Sequence, residues 1–175
     1  MKKTAAVVFV LLSCLFLFSG CNKPKKVPEN MINNLTENFT CVFKTTIGET
    51  DYRVKFRKNA PGDYLISFLE PAELSKLSFG WKNERMDIEY GDMGFHINAE
   101  NIPQSSFIKT VFLVMDNAVD KDNVTYLLTK DGAELYGHTV LGKFTVKTDK
   151  AFNPYEISIP EADLVFDLSD FEITD

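Results

Sequence analysis

Most of the chain alternates between apolar and polar positions, which is the period of a β-strand buried on one face. The clearest example is residues 39–57, where two alternating runs flank the polar turn Gly48-Glu49-Thr50. The positions predicted to face inward in these runs are Phe39, Cys41, Phe43, Thr45, Ile47, Tyr52, Val54 and Phe56, all of them apolar or aromatic except Thr45. This segment therefore predicts an antiparallel hairpin with one buried face.

The same alternation recurs in short runs separated by turn residues, which is the spacing of a β-meander. A strand led by Tyr64 is expected to end at Pro71, and Asp131-Gly132 is expected to form a two-residue hairpin turn. The other strands are predicted at 77–82, 85–90, 93–98, 124–130, 133–138, 143–148, 155–159 and 164–173. The pattern thus predicts about ten or eleven strands.

Two segments have helical spacing instead. A short helix is predicted from Pro28-Glu29 onward, with Met31, Ile32 and Leu35 on its apolar side. A longer one is predicted over 105–118, with Ser105 or Ser106 as its cap. It is apolar around most of its circumference, so it must be buried on more than one side.

These elements predict an α+β fold that is mainly β. The simplest arrangement is a single strongly curved antiparallel sheet, an open half-barrel with its helices packed in the concave face.

The first residues have the layout of a bacterial lipoprotein signal. Lys2 and Lys3 precede an apolar run over 5–18, and Ser19-Gly20 precedes Cys21. The run is too short to span a bilayer comfortably, so residues 1–20 are predicted to be a cleaved signal peptide. Cys21 would then carry a diacylglycerol and an N-acyl chain such as palmitate, which together suffice for stable anchoring. The alternative is an ordinary signal peptide with an incidental cysteine.

Residues 21–28 are predicted to be the acylated cysteine and a polar linker, and residues 29–175 a single domain. The formal net charge of the whole chain is −6, and loss of Lys2 and Lys3 makes it more negative. This charge argues against nucleic acid as a partner and against docking on anionic lipid through a basic surface.

Catalytic chemistry finds little support in the sequence. His96 and His138 lie in separate predicted strands, without the spacing of a zinc site or a His-based triad. Cys41 shares the inward face with phenylalanines, which favours a buried structural cysteine over a nucleophile. No enzymatic activity, metal or cofactor is therefore expected.

Aromatic residues make up 13% of the chain, including 15 phenylalanines and a single tryptophan. Such rings either fill a core or line a cavity for an acyl chain, and the sequence leaves both alternatives open. If there is a cavity, its candidate ligand-binding residues are Phe43, Val54, Phe56, Phe68, Phe79, Trp81, Phe107, Val111, Phe112 and Met115.

The order of elements resembles the LolA/LolB superfamily of periplasmic lipoprotein carriers and receptors. The local features that carry the resemblance are the strand at 52–57, Phe68-Leu69-Glu70-Pro71 at a strand end, and the closing segment 144–171. The resemblance implies an open barrel whose apolar interior accepts acyl chains under helical lids. The family's lid-latching arginine has no matching position in this chain.

The expected protein is a non-enzymatic envelope lipoprotein that binds lipid or lipoprotein acyl chains. It would be held by Cys21 on the extracytoplasmic face of the cell membrane or on an outer membrane. The alternative is an adaptor of the same fold that binds an envelope protein such as a cell-wall hydrolase, as in germination lipoproteins.

Overall fold

The computed structural model describes residues 27–103 and 106–174. The predicted signal peptide, Cys21 and most of the linker lie outside the described residues and stay predictions. Val27, assigned to the linker, is only 4% exposed and packs in the core. Within the described residues, no helix is both long and apolar enough to cross a membrane.

Eleven strands form one antiparallel sheet in the order β6-β5-β4-β3-β2-β1-β11-β10-β9-β8-β7. Two meanders are therefore joined by the pairing of β1 with β11. The strands are β1 Phe39–Ile47, β2 Thr50–Ala60, β3 Asp63–Glu70, β4 Leu77–Lys82, β5 Arg85–Tyr90, β6 Met93–Asn98, β7 Thr125–Leu128, β8 Ala133–Thr139, β9 Gly142–Thr148, β10 Pro154–Ile159 and β11 Leu164–Ile173. Strands β6 and β7 lie at the two ends of the sheet and do not pair with each other, so the sheet is not closed into a barrel.

The predicted fold class is confirmed as a single, open antiparallel sheet with helices. Helix α1 is Asn33–Thr36 and helix α2 is Phe107–Ala118. Short 3-10 turns occupy 29–31, 72–74, 99–101 and 160–162. That the helices pack in a concave face stays a prediction.

The prediction of a two-residue hairpin turn at Asp131-Gly132 is wrong, because the connection is longer. Strand pairing ends at Leu128 and Ala133, and residues 129–132 form the connection, closed by a hydrogen bond of 3.0 Å from the Thr129 amide to the Gly132 carbonyl. The reason is the crowding of Gly132 against β9, where a Cβ would lie 1.9 Å from the Thr148 carbonyl oxygen. The chain must bend before β8 begins.

The predicted side-chain cap of α2 is not made by Ser106. This residue stands at the N-cap position, but its side chain makes no capping hydrogen bond. Its carbonyl instead accepts hydrogen bonds from the Thr110 amide at 3.0 Å and the Thr110 hydroxyl at 2.9 Å. Ser105 lies outside the described residues.

Helix α2 packs on the sheet through aromatic rings. The Phe112 ring lies 6.5 Å from that of Phe56, 5.4 Å from that of Tyr64 and 5.6 Å from that of Trp81, measured between centroids. Phe56 and Phe112 have no exposed surface. Helix α2 thus packs against β2, β3 and β4 through Phe112, and it also contacts β8.

Replacing Phe56 with alanine tests this packing. Phe56 touches the rings of Phe39, Phe43, Tyr64 and Phe112. Phe56→Ala should lower the free energy of unfolding by about 3–5 kcal/mol in urea titrations, because it leaves a cavity in a packed core. Val140→Ala, at a residue 68% exposed, is the control and should change it by less than about 0.5 kcal/mol. A loss below about 1 kcal/mol for Phe56→Ala would contradict a packed core.

Candidate functional site

The structure brings the ten predicted ligand-binding residues together around α2. Eight of them are buried, and Phe79 and Phe107 are partly buried against the same core. Their rings form two chains of contacts between the sheet and the helix, which together we call the aromatic cluster. One chain is Phe43–Phe56 at 5.0 Å, Phe56–Phe112 at 6.5 Å and Trp81–Phe112 at 5.6 Å, and the other is Phe68–Phe79 at 6.1 Å and Phe68–Phe107 at 6.3 Å.

These ring distances are those of direct aromatic contact. Cavities of about 800, 500 and 160 Å³ occur in the described part of the chain, and none of the ten residues lines any of them. The rings therefore pack against one another beneath α2. That they bind a ligand stays a prediction.

The apolar face of the sheet continues beyond the cluster to the free edge. Cross-strand pairing places Phe56, Ile66, Phe79, Ile88 and Phe95 in one row across β2 to β6. Exposure rises along this row from 0% at Phe56 and Ile66 to 57% at Phe95. The helix covers one end of a continuous apolar row and leaves the other end open.

The open part, here called the uncovered face, is an apolar surface on β4, β5 and β6. Tyr90 is 43% exposed and Met93 67% exposed, and these two residues pair directly across the β5–β6 hairpin. The members of the uncovered face are Leu77, Phe79, Ile88, Tyr90, Met93, Phe95 and Ile97. Of these, only Phe79 was among the predicted site residues. The alternation at 85–90 and 93–98 could have found the rest, since it assigns Ile88 and Phe95 to the same face as Phe79.

Polar contacts fix the two helices to the sheet. The Tyr64 hydroxyl on β3 donates to the Asp116 carboxylate on α2. The Lys58 ammonium, on a residue only 2% exposed, donates to the carbonyls of Leu35 at 2.5 Å and Thr36 at 2.8 Å, and so caps the end of α1. These residues lie on the core side, where an unpaired polar group would be costly.

A second buried lysine holds the loop before α2. The Lys109 ammonium donates to the carbonyls of Ala99 at 3.0 Å and Ile102 at 3.3 Å. These bonds join α2 to the chain that follows the edge strand β6. The position of the helix is thereby coupled to that of the uncovered face.

Burial governs the titration of these groups. It raises the pKa of the Tyr64 phenol strongly, and the hydrogen bond to Asp116 raises it further. Burial lowers the pKa of the Lys58 ammonium, which the charges of Asp116 and Glu37 partly oppose.

The residues considered for catalysis lie apart. Cys41 is buried, and desolvation raises the pKa of its thiol well above the usual value, which disfavours the reactive thiolate. His96 and His138 are exposed on β6 and β8, far apart in the strand order. Among the described residues, no group of three or more His, Cys, Asp or Glu side chains could hold a metal ion.

These features define a class of protein, namely an open antiparallel meander with a helix packed on its apolar face. No protein-family model matches the sequence, and no curated protein matches it by sequence. The fold is similar to that of an uncharacterized conserved protein from Thermus thermophilus, with a TM-score of 0.53 and 11% identity over 84% of this chain and 85% of that one.

Two other solved structures are similar at lower scores. One is a LolA superfamily protein from Nitrosomonas europaea, with a TM-score of 0.43 and 12% identity over 84% of this chain and 93% of that one. The other is a DUF1329 family protein from Desulfovibrio piger ATCC 29098, with a TM-score of 0.42 and 14% identity over 82% of this chain and 88% of that one. One of these similar structures thus belongs to the superfamily that the order of elements resembles. At this similarity neither neighbour says what the chain binds.

The Tyr64–Asp116 contact can be tested by removing one hydroxyl. Tyr64→Phe should lower the free energy of unfolding by about 1–3 kcal/mol at neutral pH, because it leaves the Asp116 carboxylate without its donor. Since the folded-state pKa of Tyr64 is raised, its contribution is fully present below about pH 10 and is lost as the pH rises further. The destabilising effect of the variant should therefore shrink in alkaline urea titrations.

Tyr136→Phe is the matched control, because the Tyr136 hydroxyl also donates to a carboxylate, that of Glu134, but on the exposed surface. It should change the free energy of unfolding by less than about 0.5 kcal/mol. Equal effects of the two variants would show that the buried bond does not hold α2.

Proposed function

We propose that this protein is a lipid-anchored envelope protein that binds the acyl chains of lipids or lipoproteins without catalysing a reaction. The observation that carries the proposal is the continuous apolar row from Phe56 to Phe95, buried at one end and open at the other. An acyl chain can lie along the open part of this row, over Phe79, Ile88 and Phe95.

The chemistry of the uncovered face suits an acyl chain. Met93 and Phe95 offer a flexible thioether and a flat ring, and the hydrophobic effect is non-directional. Each 100 Å² of apolar surface removed from water contributes about 2.5 kcal/mol. No nucleophile, metal or acid–base pair is needed for such binding.

The proposed anchor places this surface close to its ligand. Acylated Cys21 would hold the domain at a membrane on the extracytoplasmic side, six residues before Val27 enters the core. A short tether of this kind would raise the concentration of the uncovered face near membrane lipids.

A second candidate function is that of an adaptor for an envelope protein such as a cell-wall hydrolase. The observation favouring it is that the rings beneath α2 are in direct contact, while Tyr90, Met93 and Phe95 lie exposed at a free sheet edge. A partner could cover these side chains and add a strand to β6.

Native mass spectrometry tests the lipid-binding function. The domain from residue 22 onward, purified without detergent, should carry a phospholipid or acylated species that solvent extraction releases. Phe95→Glu should abolish the adduct, because it places a charge on the uncovered face. Val140→Glu is the control, since Val140 is 68% exposed in the turn between β8 and β9, outside that face, and it should retain the adduct.

Circular dichroism should show both variants folded. A bare polypeptide mass that stays unchanged after incubation with lipid vesicles would contradict lipid binding. Capture of an envelope hydrolase that Phe95→Glu prevents would then favour the adaptor.

The anchor is tested separately by Cys21→Ala. This variant should lose radiolabelled palmitate in growing cells and move from the membrane to the soluble fraction. Cys41→Ala, at a buried thiol, should keep both the label and the membrane location. Membrane retention of a label-free Cys21→Ala protein would contradict anchoring through this cysteine.

A further inference from the structure

The largest cavity described above lies away from the aromatic cluster, at the rim of the sheet. It is a cleft of about 800 Å³ between the tip of the β1–β2 hairpin and the turn at 160–163 that leads into β11. This volume is typical of small-molecule sites. Residues from both faces of the sheet line it, since Thr45, Tyr52 and Leu164 belong to the core face and Lys44 and Arg53 to the other.

Strand pairing puts two cations side by side in this cleft. Lys44 on β1 lies directly opposite Arg53 on β2, so their Cβ atoms are about 5 Å apart. The same row continues to Asp167 on β11 and to Glu70 on β3. Like charges directly opposite each other are unfavourable unless an anion lies between them.

The nearby carboxylates neutralise this pair only in part. The contact between Arg53 Nη1 and Glu70 Oε1 is long, at 3.6 Å, with both side chains partly exposed. Within the described part of the chain, the Lys44 side chain makes neither an ion pair nor a hydrogen bond, although Asp167 is its cross-strand neighbour. Lys44, and Arg53 in part, thus remain available to an anionic group.

One donor of Arg53 is buried and has no acceptor. Among the described residues, Arg53 Nε is the side-chain polar atom that is buried and has no hydrogen-bond partner. A buried donor left unpaired is unfavourable. Protein atoms cover this nitrogen, whereas the Arg53 side chain as a whole is 39% exposed, so a ligand in the cleft would meet the exposed part of the side chain.

The rim of the cleft is acidic. Its carboxylates repel a simple anion, which is therefore not the best ligand. Asp51, Asp163 and Asp167 line it together with Glu70. Asp51 accepts a hydrogen bond of 2.7 Å from the Thr46 hydroxyl, whereas the side chains of Asp163 and Asp167 have no partner among the described residues. A ligand that fits must carry an anionic group for the cations and a cationic group for the carboxylates.

The cleft also joins the apolar core. The ring of Tyr52, which lines the cleft, lies 6.0 Å from that of Phe68 and 5.8 Å from that of Phe107, both in the aromatic cluster. A polar group in the cleft could therefore be attached to an apolar chain that extends toward the core.

We propose that this cleft binds a zwitterionic phosphate ester of the phosphoethanolamine type. Its phosphate lies between Lys44 and Arg53, and its ammonium faces the carboxylates of the rim. As the headgroup site of an acylated ligand, the cleft rests on the proposed function. The same chemistry is presented by a phosphatidylethanolamine headgroup and by free phosphoethanolamine.

Calorimetric titration of the full chain, purified in a non-ionic detergent, tests the chemistry of the cleft. Phosphoethanolamine should bind at least about tenfold more tightly than inorganic phosphate or ethanolamine alone, because only the ester satisfies both charges. Equal affinity for inorganic phosphate would overturn the zwitterionic assignment.

Variants locate the binding. Arg53→Gln and Lys44→Gln should each weaken the affinity for phosphoethanolamine roughly tenfold or more. Arg53→Lys keeps the charge but removes the planar guanidinium and should also weaken binding. Lys55→Gln is the matched control, since Lys55 is exposed on the same face of β2 but does not line the cleft. Unchanged affinity in folded Arg53→Gln and Lys44→Gln would overturn the site.

A comparison of two lipids distinguishes failure of this proposal from failure of the proposed function. Fluorescent phosphatidylethanolamine should bind the detergent-solubilised chain more tightly than phosphatidylglycerol with the same acyl chains, and Arg53→Gln should abolish the difference. Equal binding of the two lipids would overturn the headgroup site while leaving acyl-chain binding intact. Binding of free phosphoethanolamine but of neither lipid would support the cleft as a phosphate-ester site and would overturn the lipid-binding function.

Discussion

The structure depends on a mismatch between one wide apolar face and the small helix that covers it. Eleven antiparallel strands at about 4.8 Å spacing make a sheet about 48 Å wide from edge to edge. Helix α2, with 12 residues, is about 18 Å long and about 10 Å across. It can shield only part of such a face, so the remaining strands must curl over their own core or stay open. The uncovered face on β4 to β6 is a part of the sheet that the helix does not shield.

The position of the helix on this face is fixed by few polar contacts. Tyr64 and Lys109 connect α2 to β3 and to the chain after β6, while Lys58 connects α1 to β2. Rings alone would allow α2 to slide, because hydrophobic contact is non-directional. Each polar contact loses its partner if the helix moves, and a buried polar group without a partner is costly. The boundary between covered and uncovered surface is therefore set by these hydrogen bonds together with the ring contacts of Phe112.

Local pattern was enough to predict the elements. The strands at 77–82, 85–90 and 93–98 occur where the alternation places them, because turn residues bound each run. The loop at 129–132 was mispredicted because the crowding of Gly132 against Thr148 depends on a strand distant in sequence. The same limit applies to the site. Tyr64 and Asp116 are 52 positions apart, and alternation cannot say which part of an apolar face a helix will leave open.

The two surfaces of interest have a common origin in the period of the β-strand. Neighbours in a strand point to opposite faces, so Tyr52 contacts the aromatic cluster while Arg53 belongs to the charged row with Lys44. In the middle of a sheet these faces are separated by the backbone and cannot share a ligand. At the rim, where β1 and β2 turn and β11 begins, both faces line one cleft. A molecule with a charged head and an apolar tail needs such a place, because it must meet both kinds of side chain without crossing the sheet.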